Sequence, residues 1–284
     1  MAPKTVLITG ASEGGIGNAL ALAFQQRGLR VFATARSLSK MDNLSKLPNI
    51  VLLELDVTSR QGIEAAAAAV KSHTGEEKLD ILVNNSGQSY VGPALDTSIE
   101  KVRGLFDVNF FGLVETTLVL GMMVVAAKGT IVNISSVLGH THMPWLAYYN
   151  ASKAAVDLFG ETLRLEMAPF GVKVLTVAVG GVETNMSNTA NVAPPELSEG
   201  SLWAVTEKYL AKRAAKEHRW ATPPAVFAER VVRDVLNGTN GRVYRGVGAT
   251  AVWIVTTLLP GWLKDKLVAN NEVANNKFDI VRKP

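Results

Sequence analysis

The stretch "VLITGASEGGIGNALA", residues 6–21, decides the fold. An apolar, β-branched run comes first, then glycines at 10, 14, 15 and 17, then a run rich in alanine and leucine. That order reads as strand, turn, helix. A helix opening straight after a glycine turn offers unpaired N–H groups and the positive end of its dipole, a setting suited to a pyrophosphate. Glycine lets the backbone come close to such a ligand. Gly10, Ser12, Gly15, Ile16 and Gly17 are the candidate phosphate contacts. The spacing is not G-x-G-x-x-G, so the place of the turn after the first strand carries the reading. The same residues also match G-x-S-x-G, with Ser12 where a hydrolase nucleophile would stand. An elbow of that kind normally follows a central strand, with its acid and histidine later; here it opens the chain, and the extra glycines suit phosphate better.

Outward from this turn, short apolar runs alternate with helical patterns. Strands are expected at 5–9, 30–35, 50–56, 79–84, 129–135, 173–179 and in "GRVYRG". Helices are expected in "NALALAFQQRG", in the alanine-rich run through Val70, and at 101–123, 148–169 and 224–236. Such alternation predicts an α/β fold: one doubly wound parallel sheet of these seven strands with helices on both faces, as a single domain over residues 1–284. After Thr184 the pattern breaks. Residues 185–222 are rich in Asn, Ser, Pro and Ala, carry Trp203 and Tyr209, and read as a flap over a site.

Composition excludes several classes. There is no cysteine, hence no disulfide, thiolate chemistry or cysteine metal site. The net charge of +4 comes from 29 basic and 25 acidic residues that are scattered, so no nucleic-acid face is read. No long apolar segment precedes the glycines, and no secretory signal is read. Residues 246–263, "GVGATAVWIVTTLLPGWL", carry no charge. Three readings stay open for them: a buried piece of the core or of a subunit interface, a segment lying on a membrane or lipid surface, and a span that Pro260 and three glycines disfavour. The apolar residues 122–125 read as core or dimer packing. His140 and His142 are spaced like a metal pair, but no acid or third histidine is near in sequence, so no metal is expected.

The second strand ends in "FATARS", without the acid that would hold ribose hydroxyls. Arg36 and Ser37 can instead bind a 2′-phosphate; the alternative is a solvated arginine. In "AYYNASK", Tyr149 and Lys153 stand four apart and share a helix face, whereas Tyr148 pairs with Ser152. A nearby ammonium lowers a phenol's pKa and makes it a general acid suited to working pH. A lone Y-x-x-x-K is ordinarily packing, so other residues must carry the case. Ser136 ends "GTIVNISS", Asn109 lies inside a helix where asparagine is a poor choice unless used, and "ILVNNSG" sets Asn84, Asn85 and Gly87 at a strand end.

In this order and spacing the chain resembles the short-chain dehydrogenase/reductase family over nearly its whole length. "VGGVETN" is similar to the family's P-G-x-V-x-T, with Val179 where proline is usual. The glycine turn has one residue more than T-G-x-x-x-G-x-G, and "NNSG" replaces "NNAG". "TGASEGGIG", "LRLEMAPFGVKVLTV" and the apolar C-terminus look most like fungal reductases related to 1-acyldihydroxyacetone-phosphate reductase. The resemblance implies a Rossmann-type fold, NADP(H) as cofactor, and reduction of the carbonyl of an apolar small molecule to a secondary alcohol. It implies Tyr149 as the acid, Ser136 on the substrate carbonyl, Lys153 lowering the Tyr149 pKa and holding the nicotinamide ribose, and Asn109 positioning a water. Asp56 and Val57 flank the adenine, Asn84, Asn85 and Gly87 line the cofactor, and Val182 and Thr184 hold the carboxamide. Leu138, His142, Met143, Trp145, Met186 and Trp203 border the substrate. The substrate is a lipid ketone or a carbonyl of fungal secondary metabolism; an NADP-binding protein without turnover and the serine hydrolase are the rivals. A homo-oligomer, dimer or tetramer, in the cytoplasm is expected, with endoplasmic reticulum or lipid-droplet contact through 246–263.

Overall fold

Val6, Leu7 and Ile8 are fully buried, although they point alternately to opposite faces of their strand. Unbroken apolar runs of this kind belong to parallel strands covered on both sides. The computed structural model describes residues 3–185, 197, 199–204 and 221–272, with the backbone alone for 268–272. Its strands β1 (Thr5–Ile8), β2 (Arg30–Ala35), β3 (Ile50–Glu54), β4 (Ile81–Asn84), β5 (Thr130–Ile134), β6 (Lys173–Val179) and β7 (Gly241–Arg245) form one sheet in the order β3-β2-β1-β4-β5-β6-β7. All pairings are parallel.

The helices follow from the alternation of the strands. Val6 and Ile8 pack with Leu20 and Phe24 of α1 (Ile16–Gln26) and Phe227 and Val231 of α6 (Pro224–Leu236). Leu7 and Leu82 pack on the other face with Ile63 and Val70 of α2 (Arg60–Thr74) and Leu120 and Val124 of α4 (Gly112–Ala127). The long helix α5 (Ala147–Met167) adds Leu163 and Met167 to that layer. The chain runs outward from β1 to β3 and then returns to β4. A crevice therefore opens at the carboxyl ends of β1 and β4, where such sheets bind ligands.

Two expected elements come out differently. The helix expected at 101–123 is α3 (Ile99–Phe106), a π-turn (Asp107–Phe111) and then α4. By length and composition alone Ile99–Ala127 could cross a membrane, but α4 covers the sheet with Leu120 and Val124 fully buried. The uncharged segment 246–263 is broken. It gives α7 (Ala249–Leu258) and α8 (Gly261–Glu272), because Leu259, ahead of Pro260, is forced out of the helical region (φ −91°, ψ 144°). A helix of ten residues is about 15 Å long, half of a bilayer core of ~30 Å, so the span is excluded. Burial within the chain's own core is excluded too: Ala249 is buried, but Trp253, Ile254, Leu258 and Trp262 are exposed.

Candidate active site

The glycine turn is folded back on itself. Gly10 has φ +71°, and a Cβ there would stand 3.0 Å from Ser86 Cα. A Cβ on Gly17 would stand 2.4 Å from the Gly10 carbonyl oxygen and 2.5 Å from Asn85 Nδ2. Asn85 donates to the carbonyls of Thr9 and Gly10 at 2.8 and 2.9 Å, and Thr9 Oγ1 accepts from the amides of Asn85 and Ser86. Asn18, inside α1, donates to the Ala11 carbonyl at 3.1 Å. Asn185 donates to the Glu13 carbonyl at 2.8 Å from 172 positions further along the chain. These last two braces were missed in the sequence. A buried asparagine in a first helical turn could have flagged Asn18; nothing local could have flagged Asn185.

This cradle fits a phosphate group. Gly15 caps α1 without a side-chain bond, and no acid lies in the first turn, so the positive helix end is uncompensated. Arg36 is exposed just beyond β2. Ser37, beside it, shares a hydrogen bond with Ser39 at 2.8 Å. Ser12 lies in the turn, where its carbonyl accepts from the Gly15 amide. Its hydroxyl has no histidine partner among the described residues, as a nucleophile elbow would need.

Several expected cofactor contacts stand behind the cleft. Val57 is buried and presses on Gly112, where a Cβ would meet Val57 Cγ2 at 2.7 Å. Val182 is buried in the core under α6. Asn84 is 3% exposed and donates to Thr117 Oγ1 and Asn133 Oδ1, both at 3.0 Å, tying β4 to α4 and β5. The two valine side chains are committed to packing, and Asn84 keeps only a buried Oδ1 without a hydrogen-bond partner. Asp56 uses one carboxylate oxygen to accept from the Thr58 amide and hydroxyl. Thr184 lies just past Val182, at the edge of the described residues.

Asn109, Ser136, Tyr149 and Lys153 come together at the ends of β4 and β5. Asn109 sits in the π-turn, 1% exposed. Its Oδ1 accepts from the Gln88 amide at 2.7 Å, and its Nδ2 donates to the Gln88 carbonyl at 2.9 Å and to Ser152 Oγ at 3.1 Å. The side chain thus pairs with one backbone residue in both directions, which offsets the poor helix propensity of asparagine. Gly87 lies between these groups: a Cβ on it would be 3.4 Å from Asn109 Oδ1 and 3.5 Å from Lys153 Nζ. Ser136 Oγ accepts from the Leu138 amide at 3.1 Å and keeps its proton for another acceptor. Tyr148 turns outward and donates to the Ala94 carbonyl at 2.8 Å, so Tyr149 is the tyrosine beside Lys153.

Charge at this pair departs from the expectation. Burial pushes the Lys153 ammonium down to about 8, and the charge of Asp157 opposes that. Burial likewise pushes the Tyr149 phenol above its ordinary value, opposed by the Ser136 hydroxyl. Tyr149 is only half-buried, so its desolvation comes from the walls of the cleft rather than from full enclosure. Lys153 was expected to lower the phenol, but it does not dominate. Its Nζ is 6.0 Å from the Tyr149 ring centre and donates to the Ile134 carbonyl at 3.0 Å.

Around the opening, Trp145 stacks edge-on with Trp203 at 4.6 Å between ring centres. Trp145 holds φ +68°, a strained conformation for an aromatic residue, and its carbonyl accepts from the Gly92 amide. Leu138 lies on the single turn Val137–His140, and the Met143 carbonyl accepts from Asn150 at 3.2 Å. The two histidines diverge. His140 turns inward, 3.1 Å from Asp157, and His142 turns outward, 2.8 Å from Asp265 of α8. Met186 and most of the flap 185–222 lie outside the described residues.

Comparison with known proteins agrees with this architecture. Residues 4–194 match the family model described as short chain dehydrogenase. A short-chain dehydrogenase of Penicillium ochrochloron, ptmH, is 45% identical over 266 residues, covering 93% of this chain and 96% of that one. The NADPH-dependent 1-acyldihydroxyacetone phosphate reductase of Schizosaccharomyces pombe is 37% identical, covering 89% of this chain and 86% of that one. A short chain dehydrogenase of Burkholderia cenocepacia, solved in complex with NADP, superposes with a TM-score of 0.73 at 26% identity, covering 93% of this chain and 97% of that one. With the sheet order, the glycine turn and the gathered tyrosine and lysine in place, the chain belongs to the short-chain dehydrogenase family.

Proposed function

We propose that the protein is an NADPH-dependent reductase that converts a ketone of an apolar substrate to a secondary alcohol. The observation that carries this is the meeting of Ser136, Tyr149 and Lys153 at the carboxyl ends of the central strands, with Asn109 behind them. NADP(H), when bound, supplies the hydride. The glycine turn and the free amides of α1 hold its pyrophosphate, and Arg36 and Ser37 its 2′-phosphate. Lys153 holds the ribose next to the reacting ring, while Gly87 leaves room for that side chain. Ser136, whose oxygen already accepts a bond, donates its proton to the substrate carbonyl. Tyr149 gives its proton to the oxygen that gains negative charge. A phenol held above its ordinary pKa is protonated at neutral pH, which is the state that a proton donor needs. Asn109 ties the loop after β4 to α5 and keeps a water in line with Lys153.

Trp145, Trp203 and Leu138 favour an apolar substrate, and the likeness to an acyldihydroxyacetone phosphate reductase points to a lipid ketone. A second copy of the chain would cover the apolar residues that α4 and α5 expose, among them Leu118, Met122, Leu158 and Leu165. The exposed residues of α7 and α8 would rest on a lipid surface.

The test is NADPH consumption with a long-chain 1-acyldihydroxyacetone phosphate, run beside Tyr149→Phe. Turnover should fall by ~10²–10⁴ in the variant while NADPH still binds. Unchanged turnover in the variant would remove Tyr149 as the acid. No turnover in the wild type, with NADPH bound, would remove this lipid as the substrate.

A further inference from the structure

The stripe of α5 that carries Tyr149 and Lys153 continues one turn further to Asp157. This carboxylate is 4% exposed and has no part in the reaction described above. Three elements surround it, and one of them donates a hydrogen bond. Ser135 Oγ, at the end of β5, lies 3.0 Å from Asp157 Oδ2 and 3.2 Å from the Lys153 carbonyl oxygen. His140 Nε2 lies 3.1 Å from Oδ2, and Arg242 Nε, on β7, lies 3.5 Å from Oδ1. The turn between Ser136 and His140 sits directly on the helix. A Cβ on Gly139 would be 2.6 Å from Asp157 Oδ2 and 2.9 Å from the Lys153 carbonyl carbon. Ser136 is thus flanked by Ser135, which donates to this carboxylate, and by His140, which packs against it without a hydrogen bond.

We propose that Asp157 is a positioning residue for the reaction, holding the Ser136 turn against α5 and standing as the counter-anion of Lys153 from one helical turn away. The inference rests on the reading that Lys153 holds the nicotinamide ribose. A buried ammonium whose bonded partner is a neutral carbonyl loses its proton easily. Asp157, one helical turn away, is the anion that opposes this loss. Arg242, 3.5 Å from the other carboxylate oxygen, offsets part of the field that reaches Lys153. The titratable and charged groups around the pair are Tyr149 on α5, His140 on the turn, and Arg242 and Tyr244 on β7; the Tyr244 ring stands 5.8 Å from that of His140.

The experiment is NADPH affinity of the full chain, by nucleotide fluorescence, as pH is raised. In the wild type affinity falls as Lys153 loses its proton, with a midpoint near the value of about 8. Asp157→Asn keeps the volume and a hydrogen-bond acceptor for Ser135, and should move this midpoint about one unit to lower pH. Arg242→Met removes a competing cation and should move it the other way. Tyr149→Phe should leave the midpoint in place, showing that the phenol is not its source. Asp157→Asn with weaker binding but an unmoved midpoint overturns the proposal and leaves Asp157 a packing role. Should that variant fail to fold, an unmoved or lowered midpoint in Arg242→Met overturns it equally. A wild type with no alkaline break overturns both this inference and the role given to Lys153; a break that neither variant moves overturns this one alone.

Discussion

The glycine turn and the C-terminal pair α7–α8 both border the cleft, yet they are built on opposite principles. Around the turn, backbone carbonyls are satisfied by asparagines from three distant places, Asn18, Asn85 and Asn185. A side chain on Gly17 would overlap a carbonyl oxygen. At the lip, α7 and α8 are separated by a proline break and show Trp253, Ile254, Leu258 and Trp262 to solvent. Few described bonds tether α8: His142 to Asp265, and Lys264 to the Thr256 carbonyl at 2.6 Å. The contrast teaches that the nucleotide end tolerates almost no change in shape, whereas the substrate end can vary without disturbing the chemistry.

The contrast can be broken at several points, from the turn outward. Gly17→Val should be the most damaging, because the new atoms meet rigid backbone: a loss of more than about 3 kcal/mol in stability, read by urea unfolding. Any folded fraction should bind NADPH about 100-fold more weakly. If it binds normally, the close packing of the turn is not needed. Asn109→Ala strands the amide and carbonyl of Gln88 and should cost about 3 kcal/mol, measured the same way.

Lys153→Met should act in the opposite direction. The buried ammonium titrates near 8 in the folded chain, against 10.5 unfolded. Between these values the unfolded chain binds more protons, so wild-type stability rises with pH across that window. The variant is therefore more stable than wild type below pH 8, by at most about 3 kcal/mol at ~1.36 kcal/mol per unit, and the gap closes by about pH 10.5. Thermal unfolding at the two ends of the window tests the sign, and equal stability at neutral pH would mean that the charge carries no strain. Smallest of all, Leu258→Ser with Trp262→Ser should change unfolding in buffer by less than about 0.5 kcal/mol each. The same pair should weaken sedimentation with phosphatidylcholine vesicles if the lip rests on lipid; unchanged sedimentation would leave these residues to another partner.

Much of the fold was legible because its signals are local. The bounds of β2, β6 and α6 coincide with the runs 30–35, 173–179 and 224–236, since the strands are apolar runs and the helix has an apolar stripe at helical spacing, each stopped by turn residues. The seven strands and their parallel order follow from alternation with helices. The gathering of Asn109, Ser136, Tyr149 and Lys153 was legible from spacing and resemblance together. The direction each side chain takes was not. Asn84 and Val57 sit at strand ends near the cleft, yet face Thr117 and Gly112. Lys153 reaches for the Ile134 carbonyl, and Asn185 bonds Glu13 across 172 positions, for which no periodicity exists. The π-turn was hidden because one extra residue in a single turn leaves no mark in periodicity; its local sign is Asn109, a poor helix former. The break at Pro260 was visible as a proline, but charge alone does not say that the helix stops there.

The π-turn at Asp107–Phe111 has a consequence for length. It accommodates one extra residue between α3 and α4, and each residue of an α-helix advances the face by ~100°. A further residue inserted after Phe110 would find no such outlet and would rotate α3 against α4 by that amount. Either Asn109 would leave the Gln88 backbone, or Leu120 and Val124 would leave the sheet. The count of residues along this helix is therefore a phase setting between the reaction site and the core, and it should resist insertion more strongly than it resists substitution.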